Sequence, residues 1–291
     1  MPEEPWTILK LLHWTTDYFS RNKVAEPRAS AEVLLAHLLS QDRLSLYLNY
    51  DRPMEVEELA AFRTLVKRRL GGEPNQYITG MQEFWSLPFR VNPHVLIPRP
   101  ETEVLLETVL GFLGSSPHTI RVLDLGTGSG AIAVALARES AVTSIVATDS
   151  SMAALKLAQE NAVLNQVDSK IDFVCADLFS AFSPGSAKFT VVASNPPYVS
   201  QAEFSKLSPE IRDYEPRYAL DGGLDGLAAI RPIIEEAPSF LSQQGALIME
   251  IGADQAESVS TLVKDSQHYA SYKIVKDYSG LDRVLLAVKR D

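Results

Sequence analysis

The sequence predicts an α/β protein, a parallel sheet covered by helices on both faces and preceded by a small helical bundle. Two observations lead to this fold class. From residue 120 onward, short apolar runs alternate with stretches of helical spacing, which is typical of a parallel sheet with both faces covered. Before residue 72, apolar residues recur at helical spacing without such strand-like runs.

The N-terminal part predicts three helices, at residues 6–19, 29–39 and 56–70. Pro5 and Pro27 stand where a first helical turn tolerates proline, and Gly71-Gly72 is a stop signal. The cluster Lys67-Arg68-Arg69 has two interpretations. It could meet an acidic partner surface, or it could be the more usual solvated helix end, where cations favour the helix dipole.

The next segment predicts a connection between two domains. Residues 77–91 are β-prone with a turn near 86–88, which indicates a hairpin. The prolines within residues 95–101 keep the following segment extended, and a helix should restart at Glu101 and end by Gly114. We therefore predict three parts, a helical domain at residues 1–74, a β-hairpin linker at 75–96 and a second domain at 97–291.

The second domain should contain five parallel strands, at residues 121–125, 144–148, 171–176, 189–194 and 246–251. Helical stretches are predicted between them, at residues 131–139, 152–165 and 226–241. Two further strands, 272–278 and 283–289, are separated by too few residues for a parallel crossover. They should therefore pair antiparallel.

Composition favours a cytoplasmic protein without membrane spans. No apolar run approaches the length of a membrane span, and the N-terminus lacks the features of a signal peptide. The net charge of −10 argues against a protein that grips nucleic acid through phosphates. Cys175 is the only cysteine, which fits a reducing compartment, and its place in a predicted strand suggests a small core residue. The five histidines show no ligand spacing, so no metal is expected.

A glycine-rich loop, DLGTGSG at residues 124–130, follows the first predicted parallel strand. Glycines there allow a sharp turn and let a ligand approach backbone amides at a helix N-terminus. Asp149 ends the second strand and is placed to accept hydrogen bonds from ribose hydroxyls. A dinucleotide also fits these glycines, but Asp124 would repel a pyrophosphate and would suit the ammonium group of a methionine moiety. A nucleotide-like ligand is predicted over a ligand-free turn, and S-adenosylmethionine is modestly favoured.

Asp177 ends the third predicted strand and has two interpretations. Its carboxylate could accept a hydrogen bond from an adenine amino group, with the Leu178 backbone contacting a ring nitrogen. Equally, it could start a loop by capping its own backbone.

The most specific signal is Asn195-Pro196-Pro197-Tyr198, at the end of the fourth predicted strand. The two prolines end the strand and force Asn195 into an extended conformation at the carboxyl edge of the sheet, where ligands of such folds bind. The Asn195 side-chain oxygen and the Pro196 carbonyl are both acceptors. Two acceptors that converge on one –NH₂ group would orient its nitrogen towards a methyl donor, and Tyr198 offers a face for a flat amide or base. A simple turn after a strand is the alternative.

With both motifs placed, the chain resembles the PrmC/HemK family, the protein-glutamine methyltransferases of peptide chain release factors. The resemblance covers nearly the whole chain, and the IPRPET run before the glycine loop is its most specific part. It is carried by residues 71–74, 77–80, 83–85, 97–103, 124–130, 195–198, 215–216, 219–220, 222–226, 277–278 and 282–284.

The resemblance implies a seven-stranded class I S-adenosylmethionine-dependent methyltransferase domain of Rossmann-like topology, with a small N-terminal helical bundle joined by a β-hairpin. It implies a cytoplasmic enzyme whose partners are release factors, with the N-terminal domain docking the protein substrate. The substrate glutamine of the release factor's Gly-Gly-Gln loop would be held by Asn195, Pro196, Pro197 and Tyr198. The cofactor would contact Asp124, Gly126, Thr127, Gly128, Ser129, Gly130, Asp149, Asp177, Leu178 and Asn195. Some relatives carry an aromatic residue where this chain has Leu178. The leucine would weaken adenine stacking.

Two other functions use part of the same pattern. An N(6)-adenine or other exocyclic-amine methyltransferase of nucleic acid would also use the asparagine acceptor, with a flipped base stacked on Tyr198, but it predicts a basic cleft. A nicotinamide-dependent oxidoreductase would leave the Asn-Pro-Pro-Tyr segment unexplained and would have to tolerate Asp124. A non-catalytic binding module remains if no methyl transfer occurs with any partner.

Overall fold

The computed structural model describes residues 5–114, 120–139, 142–183, 185 and 188–291. The chain divides into two compact units, Met1–Gly80 together with Ser208–Tyr214, and Met81–Leu207 together with Glu215–Asp291. In chain order, the α-helices of the described residues are α1 (Ile8–Arg21), α2 (Pro27–Leu38), α3 (Arg43–Leu48), α4 (Val56–Leu70), α5 (Asn75–Thr79), α6 (Glu103–Leu113), α7 (Ala131–Glu139), α8 (Met152–Leu164), α9 (Gln201–Phe204), α10 (Pro209–Tyr214), α11 (Ile230–Phe240) and α12 (Ala256–Ser266). The strands are β1 (Met81–Phe84), β2 (Leu87–Arg90), β3 (Ile120–Leu125), β4 (Val142–Asp149), β5 (Ile171–Cys175), β6 (Phe189–Ser194), β7 (Leu241–Glu250), β8 (Tyr269–Lys276) and β9 (Asp282–Lys289).

The first unit is helical, and the three predicted helices are present as α1, α2 and α4. Thr7 caps α1, because its hydroxyl accepts from the Lys10 backbone N–H at 3.3 Å. Pro5 therefore lies before the helix, and its expected place in a first turn is wrong, whereas Pro27 does begin α2. The short helices α3 and α5 were not predicted, since each presents too few turns for a periodic apolar pattern.

Two of the three basic side chains at the end of α4 form ion pairs within the first unit. Arg69 is 3% exposed and pairs with Glu210 at 2.6 Å, and its guanidinium also donates to the Glu73 carbonyl at 3.1 Å. Arg68 makes a two-point contact with the Glu73 carboxylate. The solvated helix end expected from sequence is therefore wrong for Arg69, because a carboxylate from a distant segment compensates its buried charge.

The second unit is built on a seven-stranded sheet in the order β5-β4-β3-β6-β7-β9-β8. Strands β3 to β7 run parallel to one another, while β9 pairs antiparallel with both β7 and β8. Both the parallel sheet and the antiparallel tail are confirmed. The strand order reverses at β3, whose neighbours are β4 and β6, and ligands of open α/β sheets bind at such a switch point.

Two hydrophobic clusters cover the two faces of this sheet. One contains α6 and α7 with Val122 and Val191, and the other contains α11 and α12 with Leu123 and Val192. Successive residues of one strand point to opposite faces, so both sides of β3 and β6 are buried. This explains why these strands have continuous apolar runs rather than alternation.

The hairpin is shorter than its predicted segment. It consists of β1 and β2, joined by Trp85 and Ser86, whose φ angles of 53° and 55° are those of a tight two-residue turn. The helix predicted at residues 226–241 begins only at Ile230, because the chain turns at Gly226 with a φ of 77°.

Cys175 is exposed, so its predicted core position is wrong. Its strand β5 is one of the two edge strands of the sheet, and Cys175 is its last residue. An apolar run cannot distinguish an edge strand from a central one, because the distinction depends on strand order. No helix among the described residues has the length and apolar character needed to cross a bilayer.

Candidate active site

A cavity of about 510 Å³ lies in the second unit, at the carboxyl ends of β3, β4 and β6. Its lining includes nine of the residues predicted for the site, namely Gly126, Thr127, Gly128, Ser129, Asp149, Asp177, Leu178, Asn195 and Pro197. The other four predicted residues are not among its lining residues, namely Asp124, Gly130, Pro196 and Tyr198. The structure thus gathers both motifs around one space.

The glycine loop leaves room for a ligand at its first two glycines. Gly126 and Gly128 have φ angles of 71° and 55°, and a Cβ built on either would meet no atom within 4 Å. At Gly130 the added Cβ would lie 3.1 Å from the Cβ of Ala158 in α8. The third glycine therefore permits close packing of α8, while the first two allow a ligand to approach the backbone.

Asn161 supports this loop, and sequence reasoning missed it. The side chain is fully buried in α8, and its Nδ2 donates to the Ser129 carbonyl at 2.8 Å and to the Arg90 carbonyl at 3.0 Å. Its Oδ1 accepts from the Arg90 N–H at 2.7 Å. One amide thereby ties the hairpin strand β2 to the glycine loop. An asparagine in the middle of an otherwise apolar helix face was the signal that could have revealed it.

Asp124 lies behind the loop, where it is fully buried. Its Oδ2 accepts from the Thr127 hydroxyl at 2.7 Å and from the Ala133 N–H at 3.2 Å. Its Oδ1 is buried and has no partner among the described residues. Burial raises the pKa of Asp124 to about 7, against the two hydrogen bonds, which lower it. A buried carboxyl with one unused oxygen fits a cationic group, such as the ammonium of a methionine moiety.

Asp149 ends β4 at the cavity wall. Its Oδ2 accepts from the Gly128 N–H at 2.9 Å and its Oδ1 from the Ser151 N–H at 2.8 Å. Burial raises its pKa, while these two hydrogen bonds lower it. Each carboxylate oxygen can accept more than one hydrogen bond, so Asp149 can still accept hydrogen bonds from ribose hydroxyls.

Asp177 and Leu178 lie two and three residues beyond the end of β5. The Asp177 N–H donates to the Ser180 hydroxyl at 3.1 Å, so this turn is capped by serine. Both Asp177 and Leu178 line the cavity, and Leu178 has a φ of 44°, in the left-handed region that is uncommon for a non-glycine residue.

Asn195 follows the last residue of β6 and lines the cavity. Its Nδ2 donates to the Thr102 hydroxyl at 3.1 Å. Since the nitrogen is engaged there, the Oδ1 of the same amide is the atom that it can present to a ligand. The neighbouring Ser194 hydroxyl donates to the Leu125 carbonyl at 2.8 Å, which joins β6 to β3 where the two motifs begin.

Tyr198 points its hydroxyl into the protein and donates to Oε1 of Glu250 at 3.1 Å. Burial, followed by the nearby Glu250 charge, raises the pKa of Tyr198 well above its usual value. The Tyr198 carbonyl accepts from Nε2 of Gln255 at 2.9 Å. Sequence reasoning missed both partners, because each is separated from the motif by about fifty residues.

A segment on the other side of the cavity is fixed by Glu215. Its buried carboxylate accepts from the Ile97 N–H at 3.2 Å and pairs with Arg99. Tyr218 donates its hydroxyl to the His94 carbonyl. His94, Arg99 and Tyr218 line the cavity. The contacts of Glu215 with Ile97 and Arg99 join two of the stretches that carry the resemblance, residues 97–103 and 215–216.

Metal binding finds no support in the part of the chain that the structure describes, where no three His, Cys, Asp or Glu side chains form a potential metal site. His118 lies outside the described residues. The absence of a metal stays a prediction.

This sheet order, with a glycine loop after β3 and the Asn-Pro-Pro-Tyr segment after β6, defines a class I methyltransferase domain. The chain matches the PrmC N-terminal domain over residues 10–80 and the methyltransferase small domain over residues 100–211. With relatives of that name at 43% and 42% identity over 98% of its length, it belongs to the release factor glutamine methyltransferase family.

Similar proteins support this membership over nearly the full length. The chain is 43% identical to the release factor glutamine methyltransferase of Geobacter sulfurreducens over 287 residues, covering 98% of each chain. It is 42% identical to that of Chlorobaculum tepidum over 292 residues, again covering 98% of each. A T. thermophilus 16S rRNA N2 G1207 methyltransferase in complex with AdoMet and guanosine aligns with a TM-score of 0.53 at 21% identity, covering 72% of this chain and 50% of that one, and this likeness concerns the fold alone.

Proposed function

We propose that this protein transfers a methyl group from S-adenosylmethionine to the side-chain amide nitrogen of the glutamine in the Gly-Gly-Gln loop of peptide chain release factors. The observation that carries the proposal is the position of Asn195. It follows Ser194, which pairs in register with Leu125, the residue before Gly126 of the glycine loop. Because neighbouring strands lie about 5 Å apart, the acceptor for an –NH₂ group begins beside the loop that would hold the cofactor.

The described residues suit S-adenosylmethionine. The unpartnered Asp124 oxygen fits the ammonium group, the open space at Gly126 and Gly128 fits a ligand against the backbone, and Asp149 fits ribose hydroxyls. Asp177 and Leu178 would contact the adenine. When bound, the cofactor supplies an electrophilic methyl group on a positively charged sulfur.

The protein's contribution to the reaction is orientation. An amide nitrogen is a poor nucleophile, since its lone pair is shared with the carbonyl group. Hydrogen bonds from the glutamine –NH₂ to Asn195 Oδ1 and to the Pro196 carbonyl would fix the plane of the amide. They strengthen as positive charge develops on nitrogen, so they stabilise the transition state more than the bound substrate.

Tyr198 does not act as the base in this proposal. Its raised pKa keeps the hydroxyl protonated at neutral pH, and its proton is directed to Glu250. The extra proton on the methylated amide is strongly acidic and leaves to water. Tyr198 instead stiffens the segment that carries the acceptors.

The helical unit would dock the release factor, and the cytoplasm is the expected location. Exposed aromatic side chains, including Trp14 and Tyr18, stack on one another along α1 with ring centroids 4.9 Å apart. Such side chains are enriched in protein interfaces, which makes this unit a suitable carrier for substrate contacts.

Methylation of a purified release factor tests the proposal. The protein is incubated with methyl-labelled cofactor and one of three substrates, namely the natural release factor, a variant whose loop glutamine is replaced by asparagine or alanine, or DNA. We expect label on the natural protein alone. Equal label on the natural and substituted proteins would contradict the glutamine assignment, and label on DNA with none on the release factor would favour the nucleic-acid alternative.

A further inference from the structure

We propose that Thr102 and Glu250 are positioning residues that set which end of the Asn195 amide faces the substrate. This inference rests on the proposed function, because it concerns how the acceptor for the glutamine –NH₂ is presented. Neither residue was predicted as part of the site. They come from the start of α6 and the end of β7, far from the Asn-Pro-Pro-Tyr segment in sequence.

A continuous chain of hydrogen bonds links the three side chains. The Thr102 hydroxyl donates to Oε2 of Glu250 at 2.7 Å, and Nδ2 of Asn195 donates to the Thr102 oxygen at 3.1 Å. Thr102 is 4% exposed and Glu250 is 1% exposed, so water does not compete freely for either group. A buried hydrogen bond of this kind is costly to leave unmade.

The direction of each hydrogen bond determines the next one. An ionised carboxylate only accepts, so the single hydroxyl proton of Thr102 is directed to Glu250. The Thr102 oxygen can then only accept, and it selects the –NH₂ end of Asn195 over the carbonyl end. If the amide were rotated by 180°, its oxygen would face another acceptor and its –NH₂ would face the substrate –NH₂. The relay therefore leaves Oδ1 as the atom presented to glutamine.

The same carboxylate also holds Tyr198. Oε1 of Glu250 accepts from the Tyr198 hydroxyl at 3.1 Å. Glu250 therefore holds one end of the Asn-Pro-Pro-Tyr segment directly, at Tyr198, and the other end through Thr102, at Asn195. Burial raises the pKa of Glu250, and its hydrogen bonds from Thr102 and Tyr198 and the charge of Arg283 lower it, while the Glu101 charge raises it. Burial outweighs these three groups, so the pKa of Glu250 is raised overall, and the relay describes the charged, acceptor-only form of the carboxyl that the three groups stabilise.

The test compares three substitutions in the intact protein. Thr102→Val removes the hydroxyl with little change of shape, and Thr102→Ser retains it. Thr108→Val is the matched control, since this residue of α6 donates only to the Val104 carbonyl at 2.7 Å and lies outside the cavity lining. Release factor methylation is measured for kcat and KM, and cofactor affinity is measured by calorimetry.

We expect Thr102→Val to lower kcat by about 10- to 100-fold while cofactor affinity stays within about 2-fold. Thr102→Ser should stay within about 3-fold of the wild type, and Thr108→Val should match it. If Thr102→Val does not fold, Thr102→Ala removes the same hydroxyl without a branched side chain. An unchanged kcat in Thr102→Val, or an equal loss in Thr108→Val, would overturn the inference.

A double-mutant cycle separates positioning from general support of the fold. If Thr102 acts through Asn195, then adding Thr102→Val to a protein that already carries Asn195→Ala should lower kcat by less than about 2-fold. A loss of kcat as large as in the wild-type background would show that Thr102 does not act through Asn195. The proposed function fails separately, because it would be contradicted by a wild-type protein that does not methylate the release factor at all.

Discussion

The two loops at the carboxyl edge of the sheet are held in place in different ways. The glycine loop after β3 owes its turn to its own glycines, since Gly126 and Gly128 adopt left-handed conformations and leave open space beside the backbone. Distant side chains bind only its backbone, as Asp149 does at Gly128 and Asn161 does at Ser129. The Asn-Pro-Pro-Tyr segment after β6 is held by side chains from distant parts of the chain, namely Thr102, Glu250 and Gln255.

This difference matches two tasks, namely binding of the cofactor and orientation of the substrate nitrogen. A cofactor loop needs a fixed backbone and free space, which a short local sequence can specify. A group that must aim one nitrogen lone pair needs its rotamer and its amide orientation fixed as well, and buried hydrogen-bonding partners provide that. Substitutions on the two sides should therefore affect different measured quantities.

The largest effect is expected at Asn195. Asn195→Ala should lower turnover by about 10²-fold or more, because it removes an acceptor whose hydrogen bond strengthens in the transition state. Cofactor affinity should be largely retained. The measurement is steady-state methylation of a release factor together with calorimetric titration of the cofactor. A collapse of cofactor affinity with normal residual turnover would make Asn195 a cofactor ligand instead.

A smaller effect, on the other side of the cavity, is expected at Gly128. Gly128→Ala should weaken cofactor affinity by at least about 10-fold, because the new methyl group would enter the space left for the ligand and the positive φ of 55° would strain the backbone. Gly280→Ala is the matched control, since Gly280 has a φ of 80°, also open space, and lies in the turn between β8 and β9. Equal affinities in the two variants would refute the assignment of this loop to the cofactor.

The smallest expected effect is a pH dependence of cofactor affinity at Asp124. Its pKa of about 7 means that the free protein holds the carboxyl largely neutral at pH 6 and largely charged at pH 7.5. Since only the charged form pairs with the ligand ammonium, affinity should follow the charged fraction and rise about 8-fold over this interval. In Asp124→Asn, titrations of the cofactor at both pH values should give a weaker affinity that does not change with pH. A wild-type profile without any rise would contradict the contact.

Sequence alone predicted the local features well. The bounds of β6, α4 and α7 agree with their predicted segments, because each has a strong apolar pattern with clear end signals. Both loops of the cavity were also placed correctly at strand ends. When glycine or two prolines follow a strand, the local sequence is enough to predict the turn.

Features that depend on the three-dimensional arrangement were missed. Cys175 is exposed because β5 forms the sheet edge, and Asn161 and Gln255 are buried because they satisfy backbone groups of distant loops. Glu250 could be read from the sequence only as the polar residue at the end of an apolar strand. Its partners Thr102 and Tyr198 become apparent only once the sheet brings their elements together.

The most direct test of the account is a crystal structure with S-adenosylhomocysteine and a release factor that carries its Gly-Gly-Gln loop. We expect the glutamine nitrogen to lie ~2.9 Å from both Asn195 Oδ1 and the Pro196 carbonyl, with Asn195 Nδ2 still donating to Thr102. A glutamine nitrogen out of reach of these two oxygens, with the loop bound, would contradict the account.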